Sequence, residues 1–230
     1  MVMPPARTGF LCVVSGPSGS GKTTLCRKAR GDEGFASSVR CTTWPAREGE
    51  VHGEHYYFVS EQQFMEHTLH GDFIEWARVH GHNYGTLRSE VVGHLEAGRD
   101  VLMDIDVQGA HLVRSCEDPF IRRSVVDVFI LPPSMDELRA RLAGRGTESE
   151  DQMRLRLYNA LEEMRHWREY RYAIISGSPE EDLERFRHIL LAERMRTTRL
   201  RTPGSLVADG SRLADLPDLR PSGHPELPLQ

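Results

Sequence analysis

The stretch "VVSGPSGSGKTTL", residues 13–25, decides the fold of this chain. Its apolar, β-branched beginning breaks into glycines and serines, and Lys22, Thr23 and Thr24 follow. Residues 16–23, "GPSGSGKT", fit the phosphate-loop pattern G-x-x-x-x-G-K-[ST]. A run typical of a strand precedes the pattern and a run typical of a helix follows it, which is the context that this motif requires. The stretch therefore predicts a strand, an anion-binding loop and a helix, in that order.

The loop is suited to hold the phosphates of a nucleoside triphosphate. Its glycines let the backbone curl so that successive N–H groups point at an anion, and the helix that follows adds the positive end of its dipole. Lys22 is expected to reach the outer phosphates, and the Thr23 hydroxyl to bind Mg²⁺. The residues assigned to triphosphate binding are Gly16, Pro17, Ser18, Gly19, Ser20, Gly21, Lys22 and Thr23. The loop alone leaves open which molecule receives the phosphoryl group.

Outside the loop, the chain alternates between runs typical of strands and runs typical of helices. Strands are predicted at 10–15, 55–59, 72–79, 100–106, 124–131 and 172–176. Helices are predicted at 22–30, 60–69, 88–98, 134–144, 148–168 and 179–196. This alternation predicts an α/β fold in which helices flank both faces of a parallel sheet.

One domain is expected to cover residues 1–201. Its core comprises 8–36 and 89–201, and the stretch 37–88 breaks the alternation of strands and helices, so it is interpreted as an inserted subdomain. Residues 202–230 are rich in Pro, Gly, Asp and Ser, a composition that predicts a disordered tail.

Composition excludes several classes of partner. The net charge is −5 over 230 residues, with both signs interspersed, which argues against a nucleic-acid partner. No segment reaches the roughly 18 apolar residues of a membrane span, and the N-terminal apolar run is too short for a signal peptide. The four cysteines are scattered without a C-x-x-C pair, which indicates free thiols in a reducing compartment. We therefore expect a soluble, cytoplasmic protein without a membrane partner; whether it is a monomer or a homo-oligomer stays open.

Further motifs follow the loop in a characteristic order. They are "CTTWPAREGEVHGEHYYFV" (41–59), "FIEWARVHGHNYGT" (73–86), "DIDVQGA" (104–110) and "RLAGRGTESE" (141–150). In order and spacing they resemble the guanylate kinase family, and the resemblance runs from about residue 9 to residue 196. It implies a P-loop nucleoside-monophosphate kinase fold: the core binds ATP, the insert binds GMP, and a helical lid at about 141–160 carries arginines. The implied reaction transfers the γ-phosphoryl group of ATP to GMP with Mg²⁺, a step of purine nucleotide metabolism.

Glu75 is the candidate that distinguishes guanine from adenine. It lies in a predicted strand between Ile74 and Trp76. A carboxylate there can accept hydrogen bonds from the N1–H and N2–H₂ groups of guanine, whereas adenine lacks both donors on that edge. Sites built on such hydrogen bonds discriminate strongly, by a factor on the order of 10⁴.

The resemblance also implies the remaining acceptor residues. Arg47, Tyr56 and Tyr84 match the family positions that hold the GMP phosphate, and arginine and tyrosine suit this task as donors to phosphate oxygens. Thr86 and Asp106 match family positions near the guanine.

A second set of residues is assigned to the transfer itself. Arg141, Arg145 and Arg156 match family arginines around the transferring phosphoryl group, where positive charge stabilises the transition state. Asp104 lies at the end of a predicted strand and is placed to hold Mg²⁺ directly or through water. Together with Lys22, these residues form the predicted catalytic set.

The segment "RCTTWPAREGE", residues 40–50, departs from the family pattern. Arg40 replaces a serine that contacts guanine, and Trp44 replaces an arginine that contacts phosphate; Pro45 is shifted by one position. Since Trp44 has one N–H donor and no charge, it cannot replace the bidentate fork of an arginine. Arg40 is expected either to reach the phosphate, to donate to O6 and N7 of guanine, or to face solvent. We favour the phosphate contact, because losing positive charge opposite a phosphate is costly.

A second departure lies in "YRYAIISGS", residues 170–178. Ser176 stands where the family has an asparagine that contacts the adenine of ATP, and Gly177 and Ser178 replace an acidic pair. Selectivity for adenine in the donor nucleotide is therefore expected to be weak, or to come from backbone groups.

Two alternatives to GMP phosphorylation remain. The altered segment at 40–50 is compatible with a kinase for dGMP or a modified guanylate. Domains of this family also serve as protein-binding modules without catalysis, although Lys22, Thr23 and Asp104 have no purpose in such a module.

Overall fold

The computed structural model describes residues 7–79, 81–143 and 150–201. The strands are β1 (Leu11–Ser15), β2 (Arg40–Thr42), β3 (Tyr56–Phe58), β4 (Phe73–Val79), β5 (His82–Leu87), β6 (Val101–Asp104), β7 (Val125–Leu131) and β8 (Tyr172–Ile175). The helices are α1 (Lys22–Asp32), α2 (Glu61–Leu69), α3 (Arg88–Glu96), α4 (Val107–Arg114), α5 (Pro119–Ser124), α6 (Met135–Ala143), α7 (Glu150–Met164) and α8 (Pro179–Arg194), with a 3-10 turn at Trp167–Glu169. The predicted tail 202–230 and part of the predicted lid lie outside the described residues.

A parallel sheet of four strands in the order β6-β1-β7-β8 forms the centre of the molecule. β1 lies between β6 and β7, so that Val14 is paired with Asp104 on one side and Val128 on the other. Every residue of β1 is buried, as expected for a strand covered on both faces. The carboxyl ends of β1 and β6 therefore lie side by side, and the phosphate loop begins there.

Alternate residues of β1 supply two hydrophobic layers, because successive side chains of a strand point to opposite faces. Cys12 and Val14 pack against α1 and α8, whose contributions are Leu25, Cys26, Ala29, Leu183, Phe186 and Leu190. Leu11 and Val13 pack on the other face against α3, α4 and α5, which contribute Val91, Leu95, Ala110, Val113 and Ile121. These layers confirm the predicted α/β fold with helices on both faces of the sheet.

A second sheet has the order β3-β2-β5-β4 and lies entirely within residues 37–88. β2 pairs in parallel with β3, whereas β5 pairs antiparallel with both β2 and β4. β4 packs against α4 of the core, and Ile74 of β4 joins the core layer on that side. This second sheet is anchored on the core through β4.

The sequence did not predict β2, β5, α4 or α5. β2 has three residues, and β5, "HNYGTL", lacks an apolar alternation. The strand predicted at 100–106 ends at Asp104, because Asp106 already accepts a hydrogen bond from the Gly109 N–H as the N-cap of α4. The helix predicted at 148–168 likewise ends at Met164. None of the helices in the described part of the chain is long and apolar enough to cross a membrane.

Candidate active site

The phosphate loop joins β1 to α1 in a conformation that requires glycine. Gly16 has φ 153°, and a Cβ there would lie 2.5 Å from the carbonyl oxygen of Ile130. Gly21, with φ 98°, precedes the first residue of α1 and provides no side-chain cap. The first amides of α1 are therefore left for an anion. A cavity of about 250 Å³ opens over the loop, lined by Gly16, Pro17, Ser18, Gly19, Gly21, Lys22, Thr23, Thr24, Asp106 and Glu163.

Lys22 and Asp104 meet at the edge of this cavity. The Lys22 Nζ lies 2.8 Å from Asp104 Oδ1, and both side chains are about one-fifth exposed. Asp104 reaches this point as the last residue of β6, beside β1. The Thr23 hydroxyl and the Asp104 carboxylate are hard oxygen donors of the kind that Mg²⁺ prefers, and Mg²⁺ in phosphate sites is usually held by one or two protein groups plus the phosphates. This donor set therefore fits a magnesium ion that arrives with a nucleotide.

Two further carboxylates line the phosphate cavity. Asp106 is held by its cap bond to the Gly109 N–H, 2.8 Å long. Glu163, from the last turn of α7, was not predicted from the sequence. Burial raises the pKa of Glu163, the nearby Lys22 opposes this shift, and Asp106 adds to it. The phosphate cavity thus contains acidic groups from two helices in addition to Lys22.

Arg141 reaches the phosphate loop from α6. Its guanidinium lies 3.5 Å from the carbonyl oxygen of Ser20 and donates to Ser176 Oγ at 3.2 Å. Arg156 is half-buried on α7 and lies seven residues before Glu163, hence on the same side of that helix. Arg145, the third predicted catalytic arginine, lies outside the described residues.

A second cavity, of about 340 Å³, adjoins the loop on the side of β8 and α8. It is lined by Gly19, Gly21, Thr24, Leu25, Arg141, Ser176, Gly177, Pro179 and Asp182. The Ser176 hydroxyl donates to Asp182 Oδ2 at 2.8 Å and accepts from Arg141, and the Gly177 N–H donates to the other Asp182 oxygen. Asp182 is 5% exposed. The serine that replaces an expected asparagine is thus engaged with protein groups.

Glu75 is held on β4, opposite Thr86 of β5. It is 3% exposed, and Thr86, also buried, donates its hydroxyl to Glu75 Oε1 at 2.7 Å. Arg40 of β2 donates from Nη2 to the same oxygen at 2.8 Å. The structure thus brings together Glu75 and Thr86, which the sequence assigned to the guanine, and Arg40, for which a phosphate contact was favoured.

The position of Arg40 bears on the alternatives left open by the sequence. Its side chain is 33% exposed, and its guanidinium is engaged with a buried carboxylate. The guanidinium therefore lies beside Glu75, the candidate for guanine recognition.

Arg47 is stacked on Trp44. The guanidinium carbon lies 4.4 Å from the centre of the indole ring, which in turn packs edge-on against His82 at 4.7 Å. Within the described residues Arg47 makes no ion pair, so its charge is available to an anion. The tryptophan that replaces an expected arginine therefore fixes the direction of the arginine that remains.

Tyr56 and Tyr84 lie close together on the second sheet. Tyr56 begins β3 and Tyr84 lies within β5, and their ring centres are 6.2 Å apart in an edge-to-face arrangement. Tyr84 is paired with Thr42 of β2, the strand that carries Arg40. All the predicted acceptor residues except Asp106 therefore belong to the second sheet or to the β2–β3 connection, which contains Arg47.

These features define a class of protein, a P-loop nucleotide kinase. An anion-binding loop follows a central strand, and the N-cap of α4 lines the loop cavity. The same helix packs against β4, which carries the buried carboxylate of Glu75. The sequence model of guanylate kinase matches residues 9–193. The chain therefore belongs to the guanylate kinase family and has guanylate kinase function.

Individual relatives agree with this assignment. A guanylate kinase from Clostridium tetani is 38% identical over 202 residues, which cover 88% of this chain and 95% of the relative. A guanylate kinase from Bartonella quintana is 46% identical over 193 residues, or 84% of this chain and 86% of the relative. The crystal structure of guanylate kinase from Anaplasma phagocytophilum superposes with a TM-score of 0.62 at 35% identity, covering 86% of this chain and 93% of that structure.

Proposed function

We propose that this protein transfers the γ-phosphoryl group of ATP to the phosphate of GMP, with Mg²⁺, and releases ADP and GDP. The observation that carries the choice of acceptor is the Glu75 carboxylate, 3% exposed and fixed by Thr86. A buried carboxylate is costly unless donors satisfy it, and guanine offers two adjacent donors, N1–H and N2–H₂. Adenine presents an acceptor at N1, so AMP would leave the second oxygen of this carboxylate, Oε2, without a donor, since Thr86 and Arg40 both donate to Oε1.

On the donor side, the loop and the N-terminus of α1 bind the triphosphate. Lys22 contacts the outer phosphates and at the same time stays beside Asp104. Thr23 and Asp104 would hold the magnesium ion, which supplies neutralisation of phosphate charge when it is bound. The cavity beside Ser176 and Asp182 accommodates the base of the donor nucleotide.

On the acceptor side, Arg47, Tyr56 and Tyr84 bind the phosphate of GMP and aim it at the phosphate loop. No general base is needed, because this phosphate is already a nucleophile at neutral pH. Catalysis then consists of positioning and of positive charge around the transferring group, which is how phosphoryl transfer is generally accelerated. Arg141 and Arg156 supply this charge, and the resemblance adds Arg145.

Steady-state kinetics with GMP, dGMP, AMP and UMP test the proposal. We expect GMP to be the best acceptor and AMP to be at least about 10³-fold worse in kcat/KM, since the polar site would be left unpaired. Glu75→Gln should lower kcat/KM for GMP by about 10²- to 10⁴-fold, whereas Glu54→Gln, at an exposed residue of the same subdomain, should leave it unchanged. Preferential turnover of dGMP, or binding of a phosphopeptide without any turnover, would contradict the proposal.

Selectivity for the donor nucleotide is tested by comparing ATP with GTP. Because the Ser176 hydroxyl is already engaged with Asp182 and Arg141, we expect ATP to be preferred over GTP by less than about tenfold, which is the effect of roughly one good hydrogen bond. A preference above about 10³-fold would show that backbone or carboxylate groups of this cavity read adenine.

We further propose that the protein acts in the cytoplasm, in purine nucleotide metabolism. All four cysteines are free thiols, and three are buried. Burial raises the pKa of Cys41 to about 11, so this thiol stays protonated at neutral pH. Free thiols fit a reducing compartment, and fractionation of cells of the source organism tests the location.

A further inference from the structure

Arg40 and Glu75 have donor and acceptor atoms that their own ion pair does not use. Arg40 and Thr86 both donate to one oxygen of Glu75, Oε1. Among the described residues, no group donates to the other oxygen, Oε2. The Arg40 Nε is buried without a hydrogen-bond partner in that part of the chain. The pair therefore retains unused donor and acceptor capacity.

Arg40 also provides the positive charge that a buried carboxylate requires. Removing one partner of a buried ion pair is strongly unfavourable, because the other charge remains buried and unpaired. A serine, the family residue at this position, would supply a hydroxyl donor but no charge. An Arg40 that moved away to the GMP phosphate would break this ion pair.

We propose that Arg40 and Glu75 read the guanine base as one unit. The proposal rests on the function proposed above. Arg40 donates to O6, and its planar fork can include N7, as arginine does with guanine in DNA. Glu75 accepts from N1–H and N2–H₂. Across the base edge, the protein then presents a donor followed by two acceptors, the same order that cytosine presents to guanine.

This order selects against adenine at two positions rather than one. The adenine N6 amino group would face the Arg40 donors, and adenine N1 would face the carboxylate oxygens of Glu75. The first contact places a donor against donors, and the second places an acceptor against acceptors. Such mismatched contacts are how a site rejects a close analogue. The O6 atom is therefore a principal determinant for this chain, read by a cation rather than by a hydroxyl group.

A substrate–variant cycle tests the proposal. The acceptors are GMP and 2-aminopurine riboside 5′-monophosphate, which keeps the 2-amino group but lacks both O6 and the N1 proton. We expect the GMP preference in kcat/KM to fall by about 5- to 150-fold in Arg40→Ala, because that is the factor that a good arginine–guanine pair contributes. Arg47→Ala, which acts on the phosphate common to both acceptors, should lower both values and leave their ratio within about threefold. 7-Deaza-GMP reports separately on N7.

Stability must be separated from recognition in these variants. Arg40→Ala leaves Glu75 without its cation, so Arg40→Lys, which keeps the charge but loses the fork, is measured beside it. We expect Arg40→Lys to fold like the wild type and to lose most of the discrimination against 7-deaza-GMP. Unchanged ATP binding to each variant shows that the core is intact.

The outcomes distinguish the two proposals. If the wild-type enzyme phosphorylates GMP but both Arg40 variants keep the wild-type ratio of GMP to the 2-aminopurine nucleotide, the base-reading role of Arg40 is wrong. If GMP and the analogue weaken equally in Arg40→Ala, Arg40 serves the phosphate instead. If the wild-type enzyme does not phosphorylate GMP, the proposed function itself fails.

Discussion

Trp44, in the proposed acceptor site, illustrates how a substitution can be offset by a neighbouring residue. An indole cannot bind phosphate as an arginine does, but its face attracts a cation, and the Arg47 guanidinium lies 4.4 Å from its centre. An arginine held in one direction loses less conformational entropy when an anion binds. The lost charge is therefore partly offset by ordering of the charge that remains.

The first prediction follows from this contact. Trp44→Ala should raise KM for GMP by about 3- to 10-fold, because a cation–π contact of this kind contributes about 1 kcal/mol, and KM for ATP should not change. Trp167→Ala is the matched control, since it removes the stack against Arg168, 5.2 Å away, outside the acceptor sheet. An unchanged KM for GMP in Trp44→Ala would show that the stack does not orient Arg47.

Single residues also mark the limit of what the sequence could predict. Lys22, Thr23 and Asp104 followed from a motif whose spacing encodes its geometry. The contact of Arg40 with Glu75 joins residues 35 positions apart on strands separated by β5, and β2 and β5 were not predicted. Since that pairing depends on the register of a whole sheet, neither residue type nor local periodicity could indicate it.

Among the helices, α4 illustrates a local structure that also serves the site. Its N-cap, Asp106, accepts from the Gly109 N–H at 2.8 Å and also lines the phosphate cavity. Asparagine caps helices nearly as well as aspartate, whereas alanine does not. The two roles of Asp106 can therefore be separated by substitution.

The second prediction concerns these two substitutions. Asp106→Ala should lower the free energy of unfolding by about 1 kcal/mol, and Asp106→Asn by only a few tenths. We expect both variants to lose activity by a similar factor, because both remove the carboxylate that the resemblance to the family places near the guanine. Urea denaturation and GMP kinetics measure the two effects; full activity in Asp106→Asn would show that only the cap matters.

The third prediction concerns α7 and pH. Burial raises the pKa of Glu163 above its usual value, so the folded protein favours the protonated carboxyl group. The resulting stability is present below the unfolded-state pKa of about 4.5 and is lost as pH rises through the higher folded-state value. Glu163→Gln should therefore be more stable than the wild type at pH 7, and this advantage should vanish near pH 4. Thermal unfolding across this range measures the difference, and an advantage independent of pH would contradict the assignment.

At the scale of the whole molecule, the phosphate loop and a buried cluster of ion pairs lie at opposite ends of the parallel sheet. The phosphate loop and Asp104 lie at the carboxyl ends of β1 and β6, where ligand sites of such sheets are found. The opposite end is closed by Asp100, just before β6. This buried carboxylate accepts from Arg7 at 2.7 and 2.9 Å and from Arg194 at 2.9 Å, and so ties the beginning of the described chain to α8. The phosphate-loop motif allowed the first end to be predicted from the sequence, whereas no motif indicates the ion pairs of Asp100 at the other end.

The last prediction uses this separation. Asp100→Ala should destabilise the protein by about 3–5 kcal/mol, because it removes a buried carboxylate that pairs with Arg7 and Arg194 and accepts from the Phe10 N–H. For a domain of this size, that loss corresponds to a fall in Tm of roughly 6–20 °C. Asp32→Ala is the matched control: its ion pair with Arg187 is about half exposed, so the Tm should change by no more than about 2–4 °C. Because Asp100 lies at the end of the sheet away from the phosphate loop, kcat/KM for GMP at 25 °C should stay close to the wild-type value. A large loss of activity in a variant that remains folded would show that the two ends of the sheet are coupled.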